Sequence, residues 1–255
     1  MTVNYHTHTP LCHHARGEMK EYVECAIKAG IKKLGFSDHS PQFFDNGFVS
    51  GIRMTPSEAY SYIEKSKRLA EEYKKDIEIL TGFEAEYFPS IFRKLQAFCR
   101  ENGVDYLILG QHCLTNEPSD CWAGSGTRNK EYLKRYVDEV IEGLSTGSFS
   151  YLCHPDMFNF EGDTDFYCEQ MTRLFRTTKS LDIPVEINLL GFRAHRHYPC
   201  DTVMEIAKKE GNKFIYGVDA HEPEAFFDTE GPTIASEFIK KHGITVLEDI
   251  KLRKI

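Results

Sequence analysis

The segment Tyr5–His14, YHTHTPLCHH, holds four of the chain's 11 histidines. Val3–His8 alternates and runs into Thr-Pro, the pattern of a short strand ending in a turn. Residues two apart on a strand face the same way, so His6 and His8 aim two imidazoles at one point. Neutral imidazole is a ligand for zinc, iron and manganese. An isolated His-x-His also occurs as a surface accident, so the rest of the chain decides.

Further reactive side chains fall in a pattern. Strand-like runs cover Val3–His8, Lys33–Asp38, Ile77–Glu84, Tyr106–His112, Tyr151–His154, Val185–Leu189 and Phe214–Val218. At or just past their C-terminal ends stand His6 and His8, Asp38 and His39, Glu84, His112, His154, Asn188, and Asp219 with His221. Any one of these residues has a bland reading as a satisfied core histidine, a salt bridge or a helix cap. Seven independent accidents would not select the same end of every strand. In α/β barrels that end is where chemistry is assembled, so the pattern predicts a polynuclear metal site. His13 reads as a neighbour of the ligand His14, and Asp38 as a residue behind the ligands. A cluster of imidazoles with two or three carboxylates leaves several divalent ions under-neutralised, ready for a hydroxide and an anionic substrate. Calcium and magnesium prefer all-oxygen ligands, so zinc, iron or manganese is favoured.

Amphipathic runs between the strands predict the elements that position these groups. Glu18–Ala29 buries Tyr22, Val23, Ala26 and Ile27 and stops at Gly30. Thr55-Pro56-Ser57-Glu58 is a capping box with proline at the first helical position, opening a helix to about Lys75. Helices are also predicted over Ser90–Arg100, Lys130–Leu144, Phe166–Lys179, Thr202–Glu210 and Ile234–His242, with a short tail strand over Thr245–Leu247. Seven βα units predict a parallel sheet, open or closed into a barrel. Runs such as Tyr106-Leu107-Ile108-Leu109 are apolar throughout, as in strands covered on both faces.

The bulk properties narrow the class. The 255 residues are 41% hydrophobic and 27% charged, ordinary for a globular protein. With no Pro/Gly-rich linker, low-complexity tract or repeat, they read as one domain. A net charge of −8 argues against a general nucleic-acid binder, which would show a basic face. No apolar run approaches the ~20 residues of a membrane span, and the N-terminus lacks a signal-like segment; a cytoplasmic protein with no membrane partner is expected. The eight cysteines, at 12, 25, 99, 113, 121, 153, 168 and 200, form no C-x-x-C pair and read as reduced thiols. Cys113 and Cys153, each beside a histidine, are expected to pack outward as small hydrophobes. Oligomeric state is silent.

The ordered set HTHTPLCHH, GFSDHSP, GFEAEY, GQH, CHPD and GVDAHEP resembles the polymerase and histidinol phosphatase (PHP) family, and most closely its stand-alone histidinol-phosphate phosphatases. The likeness runs in order from Tyr5 to about Glu224. It departs at Gln111, where a small residue is commoner, and at Pro155, where an aliphatic one is. The resemblance implies a distorted, TIM-like (β/α)7 barrel as a single domain over residues 1–255, with three divalent transition-metal ions. One ion would take His6, His8, Glu84 and Asp219. Glu84 would bridge to a second, held by His112 and His154, and a third would sit on His14, His39 and His221. It also implies phosphate contacts from Arg193, in EINLLGFR, and Arg53, in SGIRM, since a guanidinium offers phosphate a bidentate fork. His195, Arg196 and His197 read as an exposed basic loop.

The expected chemistry is hydrolysis of the phosphomonoester L-histidinol phosphate by a hydroxide held between the metals. Glu84 is central, and Asp38 or His197 is a candidate acid for the leaving alkoxide. Glu86, Asp156 and Asp163 are candidates for gripping the substrate's imidazole and amino group. Three rivals stay open: another phosphomonoester or a nucleotide on the same metal core, a metal-dependent amidohydrolase, and a non-catalytic metal-binding module. Structural zinc sites are usually closed and cysteine-rich, which this set is not.

Overall fold

A computed structural model describes residues 1–44, 47–115, 117 and 122–255. Cys121 lies outside the described residues. The strands are β1 (Val3–Asn4), β2 (Lys33–Phe36), β3 (Glu78–Ala85), β4 (Tyr106–Leu109), β5 (Phe149–Leu152), β6 (Val185–Asn188), β7 (Phe214–Gly217) and β8 (Val246–Leu247). They form one parallel sheet in sequence order. The helices are α1 (Met19–Lys28), α2 (Pro56–Glu72), α3 (Phe92–Glu101), α4 (Lys130–Ser145), α5 (Thr164–Ser180), α6 (Leu189–Arg193), α7 (Asp201–Lys209) and α8 (Glu230–His242). The architecture is the α/β barrel expected from the βα alternation, and the tail strand is present. No described helix is long and apolar enough to cross a membrane.

The barrel curls shut where chain beyond β1 meets chain beyond β7. Thr7 bridges Ala220, the His8 amide donates to the Ala220 carbonyl at 2.8 Å, and the Val218 amide donates to Asn4 Oδ1 at 2.9 Å. At the opposite end β8 pairs with β7. Asp249 there accepts Tyr5 Oη at 2.5 Å and Lys33 Nζ at 2.7 Å, tying the tail to β1 and β2.

Alternation sorts the side chains into two layers. Tyr106 and Ile108 of β4 join Val3, Tyr5, Tyr151, Cys153 and Ile215 inside the barrel. Leu107 and Leu109 face the helices with Phe83, Phe149, Leu152 and Val185. The predicted capping box is formed: the Glu58 amide donates to Thr55 Oγ1 and the Thr55 amide to Glu58 Oε2.

Two expectations are corrected. Cys153 packs inward, because it continues the alternation of Tyr151 inside and Leu152 outside, and the break comes one residue later, at His154 with φ 22°. The five-residue α6 was not anticipated. It begins where Asn188 Oδ1 accepts the Gly191 amide at 2.8 Å, and it is too short to show a helical period. Cys12, Cys25, Cys99, Cys153, Cys168 and Cys200 are free thiols.

Candidate metal centre

Several strands stop short of the residues they deliver: β1 ends at Asn4, β4 at Leu109 and β5 at Leu152. His6, His8, His112 and His154 therefore stand on the chain segments leaving the sheet, at the mouth. The turn Pro10–Cys12 returns the chain through His13 in the left-handed region (φ 64°) and presents His14. His13 itself is exposed.

Glu84 is the hub. Its Oε1 lies 2.7 Å from His154 Nε2 and 3.5 Å from His112 Nε2. Its Oε2 lies 3.0 Å from His39 Nδ1, 3.5 Å from His8 Nε2 and 3.6 Å from His6 Nε2. Asp219 Oδ1 sits 3.3 Å from His8 Nε2, 3.3 Å from His221 Nδ1 and 3.6 Å from His6 Nε2. Two pairs of ring nitrogens meet head-on, His6 Nε2 with His8 Nε2 at 3.2 Å and His14 Nε2 with His221 Nε2 at 3.1 Å.

This donor set fits divalent transition metals. Buried polar atoms normally find hydrogen bonds, yet Glu84 Oε2 and Asp219 Oδ1 are buried without one. Facing lone pairs repel unless a proton or cation lies between them. Ligand atoms of His6, His8 and Asp219, of His6, Glu84 and His154, and of His14, His39 and His221 converge closely enough to share an ion.

The electrostatics agree. Burial opposes ionisation of Glu84, but His112, His39 and His6 outweigh it and hold the carboxyl well below its ordinary range. Asp219 is likewise held low against burial, by His6, His221 and His8. Burial pushes His39 well down, His112 to about 3, and His14 and His221 down as well, which favours the neutral imidazole a metal needs. His6 and His8 go the other way. Burial opposes their protonation, but Glu186 and Asp219 outweigh it at His6, and Asp219 and Asp38 at His8. Those protons occupy places that cation charge would take.

Supporting residues fix the mouth. Asp38 is buried behind His8, with Oδ1 3.6 Å from His8 Nδ1, and it accepts the amides of Thr9 (3.0 Å) and His39 (2.7 Å). Glu86 Oε1 accepts the His112 and Cys113 amides at 3.0 and 2.8 Å, and its Oε2 takes Arg53 Nη2 at 2.5 Å. Gln111 locks the same loop: its Oε1 accepts the Tyr87 amide and its Nε2 donates to the Cys113 carbonyl. A small residue there could not do so.

A cavity of about 440 Å³ opens over this cluster. Its walls beyond the histidines and carboxylates are Gly51, Ile52, Trp122, Met157, Leu190, Arg196 and Tyr198. The expected phosphate arginines are not among its lining residues. Arg53 is fully buried against Glu86. Arg193 donates to the carbonyls of Val218 and Asp219, both at 2.8 Å, bracing a turn where Asp219 has φ 51°. Nor do the other candidates line it. His197 Nε2 meets the Met157 carbonyl at 2.9 Å, Asp156 accepts the Cys200 amide, and Asp163 caps α5 at the surface. Three contributors were not read from the sequence. Arg196 reaches the cavity with Nη1 on Tyr198 Oη. Trp122 stacks on His112 with centroids 5.5 Å apart. Glu186 Oε1 lies 2.7 Å from His6 Nδ1.

With this site in view, comparison with known proteins places the chain. The PHP domain family matches residues 4–189, and the chain belongs to that family. A Deinococcus radiodurans relative named "Probable histidinol-phosphatase" is 26% identical over 86% of this chain and 85% of its own length. A Schizosaccharomyces pombe relative of the same name is 23% identical over 97% of this chain and 89% of its own. Among solved structures, histidinol phosphate phosphatase from Lactococcus lactis, complexed with zinc, L-histidinol and phosphate, superposes with a TM-score of 0.71. It is 16% identical, covering 98% of this chain and 97% of that one. That likeness bears on the fold.

Proposed function

We propose that this chain is a metal-dependent phosphomonoesterase whose substrate is L-histidinol phosphate, acting as a single domain over residues 1–255. The observation that carries the reading is Glu84, a buried carboxylate with His112 and His154 at one oxygen and His6, His8 and His39 at the other. That is the arrangement a bridging ligand requires. In this reading His6, His8, Glu84 and Asp219 hold one ion, Glu84, His112 and His154 a second, and His14, His39 and His221 a third. Bound transition metals would supply Lewis-acid charge and lower the pKa of a water to about 7.

The chain's own groups do the rest. Arg196 is the one arginine or lysine among the described lining residues, and its guanidinium is assigned to the phosphate oxygens. Arg193 and Arg53 act one step back, the first by holding the Asp219 turn and the second by pairing with Glu86, which holds the His112 amide. Asp38 orients His8. His197 remains the proposed proton donor to the leaving alkoxide; its link to the Met157 carbonyl must open for it to serve. Trp122 and Tyr198 supply flat apolar walls for an imidazole-bearing alcohol. The relatives' names and the neighbour's bound L-histidinol and phosphate support the choice of substrate.

A panel of phosphate esters tests it. The zinc- or manganese-loaded protein is expected to hydrolyse L-histidinol phosphate with a kcat/KM at least about tenfold above serine phosphate, mononucleotides and short oligonucleotides, a margin of about 1.4 kcal/mol. A nucleotide as the best substrate would move the chain to the nearest rival reading. Cleavage of amides without any phosphatase activity would end the assignment.

A further inference from the structure

Glu186 lies beneath the proposed centre, on β6, with no solvent exposure. Its two oxygens receive three donors. Oε1 is 2.7 Å from His6 Nδ1. Oε2 accepts the His154 amide at 3.0 Å and Asn188 Nδ2 at 2.9 Å. Asn188 Nδ2 also reaches Asp219 Oδ2 at 3.0 Å. One carboxylate thereby touches the ring of one proposed ligand and the backbone of a second, and through Asn188 it reaches a third. The His154 backbone needs such a hold, because its φ of 22° is unfavourable for a residue with a side chain. The space for Glu186 is made by Gly217, where a Cβ would fall 1.7 Å from Glu186 Oε1.

We infer that Glu186 is a positioning residue that holds the His6 proton on Nδ1 and so commits Nε2 to the metal. The inference rests on reading His6 as a ligand. The carboxylate is acceptor-only, so a neutral His6 ring must place its hydrogen on Nδ1 to meet it. Nε2 then keeps its lone pair and points to His8, Glu84 and Asp219, the groups that would share the ion. Carboxylates behind ligating histidines fix tautomer and ring orientation in this way.

The geometry makes a sharp demand on substitutions. Glutamine has the shape of glutamate, but one of its terminal atoms is an amide nitrogen that only donates. If that nitrogen faces His6, the ring is driven to the Nε2–H tautomer and cannot ligate through Nε2. If it faces the other way, it confronts the His154 amide, which cannot turn round. Either placement breaks a contact that the carboxylate satisfies.

The test compares wild-type protein and E186Q, each stripped, reloaded with zinc and checked for folding by circular dichroism. Zinc content and zinc affinity are measured on both. E186Q is expected to hold about one equivalent less than wild type, with at least about tenfold weaker binding of that ion. A second readout needs no variant: 1H–15N spectra of zinc-loaded wild type should show His6 protonated on Nδ1 and bare on Nε2. A His6 without a proton on Nδ1, or a folded E186Q with wild-type zinc content and affinity, overturns the inference and leaves the rest of the centre standing. A wild type that takes up no zinc overturns both the inference and the centre. Because every readout is zinc uptake or ring protonation, failure on histidinol phosphate would count against the substrate reading alone.

Discussion

Glu84→Ala is expected to lower kcat/KM for phosphate-ester hydrolysis by about 10³-fold or more, while the barrel still folds. The side chain points into the mouth, and packing in that stretch of β3 is done by Phe83 and Ala85, both in the layer facing the helices. The pairing of β3 with β4 and the His39–Glu84 bridge are backbone contacts that alanine keeps. What is lost is the one carboxylate that lies within 3.6 Å of five imidazoles. In the proposed centre, two ions would lose their shared anion together. Steady-state kinetics on metal-replete protein, with a thermal melt to confirm folding, make the comparison. Wild-type turnover in a folded, metal-replete variant would remove Glu84 from the site.

Gly110→Ala is expected to be nearly as damaging, by about 10²-fold or more in kcat/KM, although residue 110 is not among the residues that line the cavity. A Cβ there would fall 1.9 Å from Glu84 Oε1 and 2.7 Å from its Cδ. Gly110 does not have a positive φ, so its backbone accepts alanine and the effect is steric. The carboxylate is the movable partner, and it must swing away from His154 and His112. The melting temperature should change little, because a flexible side-chain end yields more easily than packed backbone. Normal kinetics in the alanine variant would show that Glu84 works without its present position.

The site was legible to the extent that its residues stand at strand ends. His6, His8, His39, Glu84, His112, His154, Asp219 and His221 each follow an apolar or alternating run, so a one-dimensional pattern carries their common location. Glu186 escaped because it sits inside its strand. Its signal was present in Val185-Glu186-Ile187-Asn188, where alternation puts Glu186 on the face of Asn188, already noted as polar. Cys153 was misread because its face was counted from His154, whose φ of 22° breaks the alternation, and not from Tyr151, with which it shares the inner face.

Loop residues were the least legible. Nothing near Arg53 in sequence announces Glu86, 33 positions away. Nothing near Arg193 announces the carbonyls of the Asp219 turn, 25 and 26 positions away. Arg196, read as an exposed basic loop residue, is exposed and in addition lines the cavity, because the chain folds back across the mouth through Tyr198, whose hydroxyl takes its guanidinium. Such placements are set by tertiary packing and leave no period to detect. The fold was clearer: helices such as α2 carry their own start signal, and apolar strands fix the sheet. The ends of the strands were overextended by two to four residues at β1, β4 and β5, where the chain leaves the sheet to carry ligands.

The most direct measurement is phosphate release from L-histidinol phosphate by the purified chain before and after removal of bound metal with a chelator, then after return of zinc or manganese. Stripping should take turnover to the buffer background, and restoring the metal should recover it in step with the equivalents bound. A chain verified free of metal that still releases phosphate at its original rate would contradict the account at its foundation.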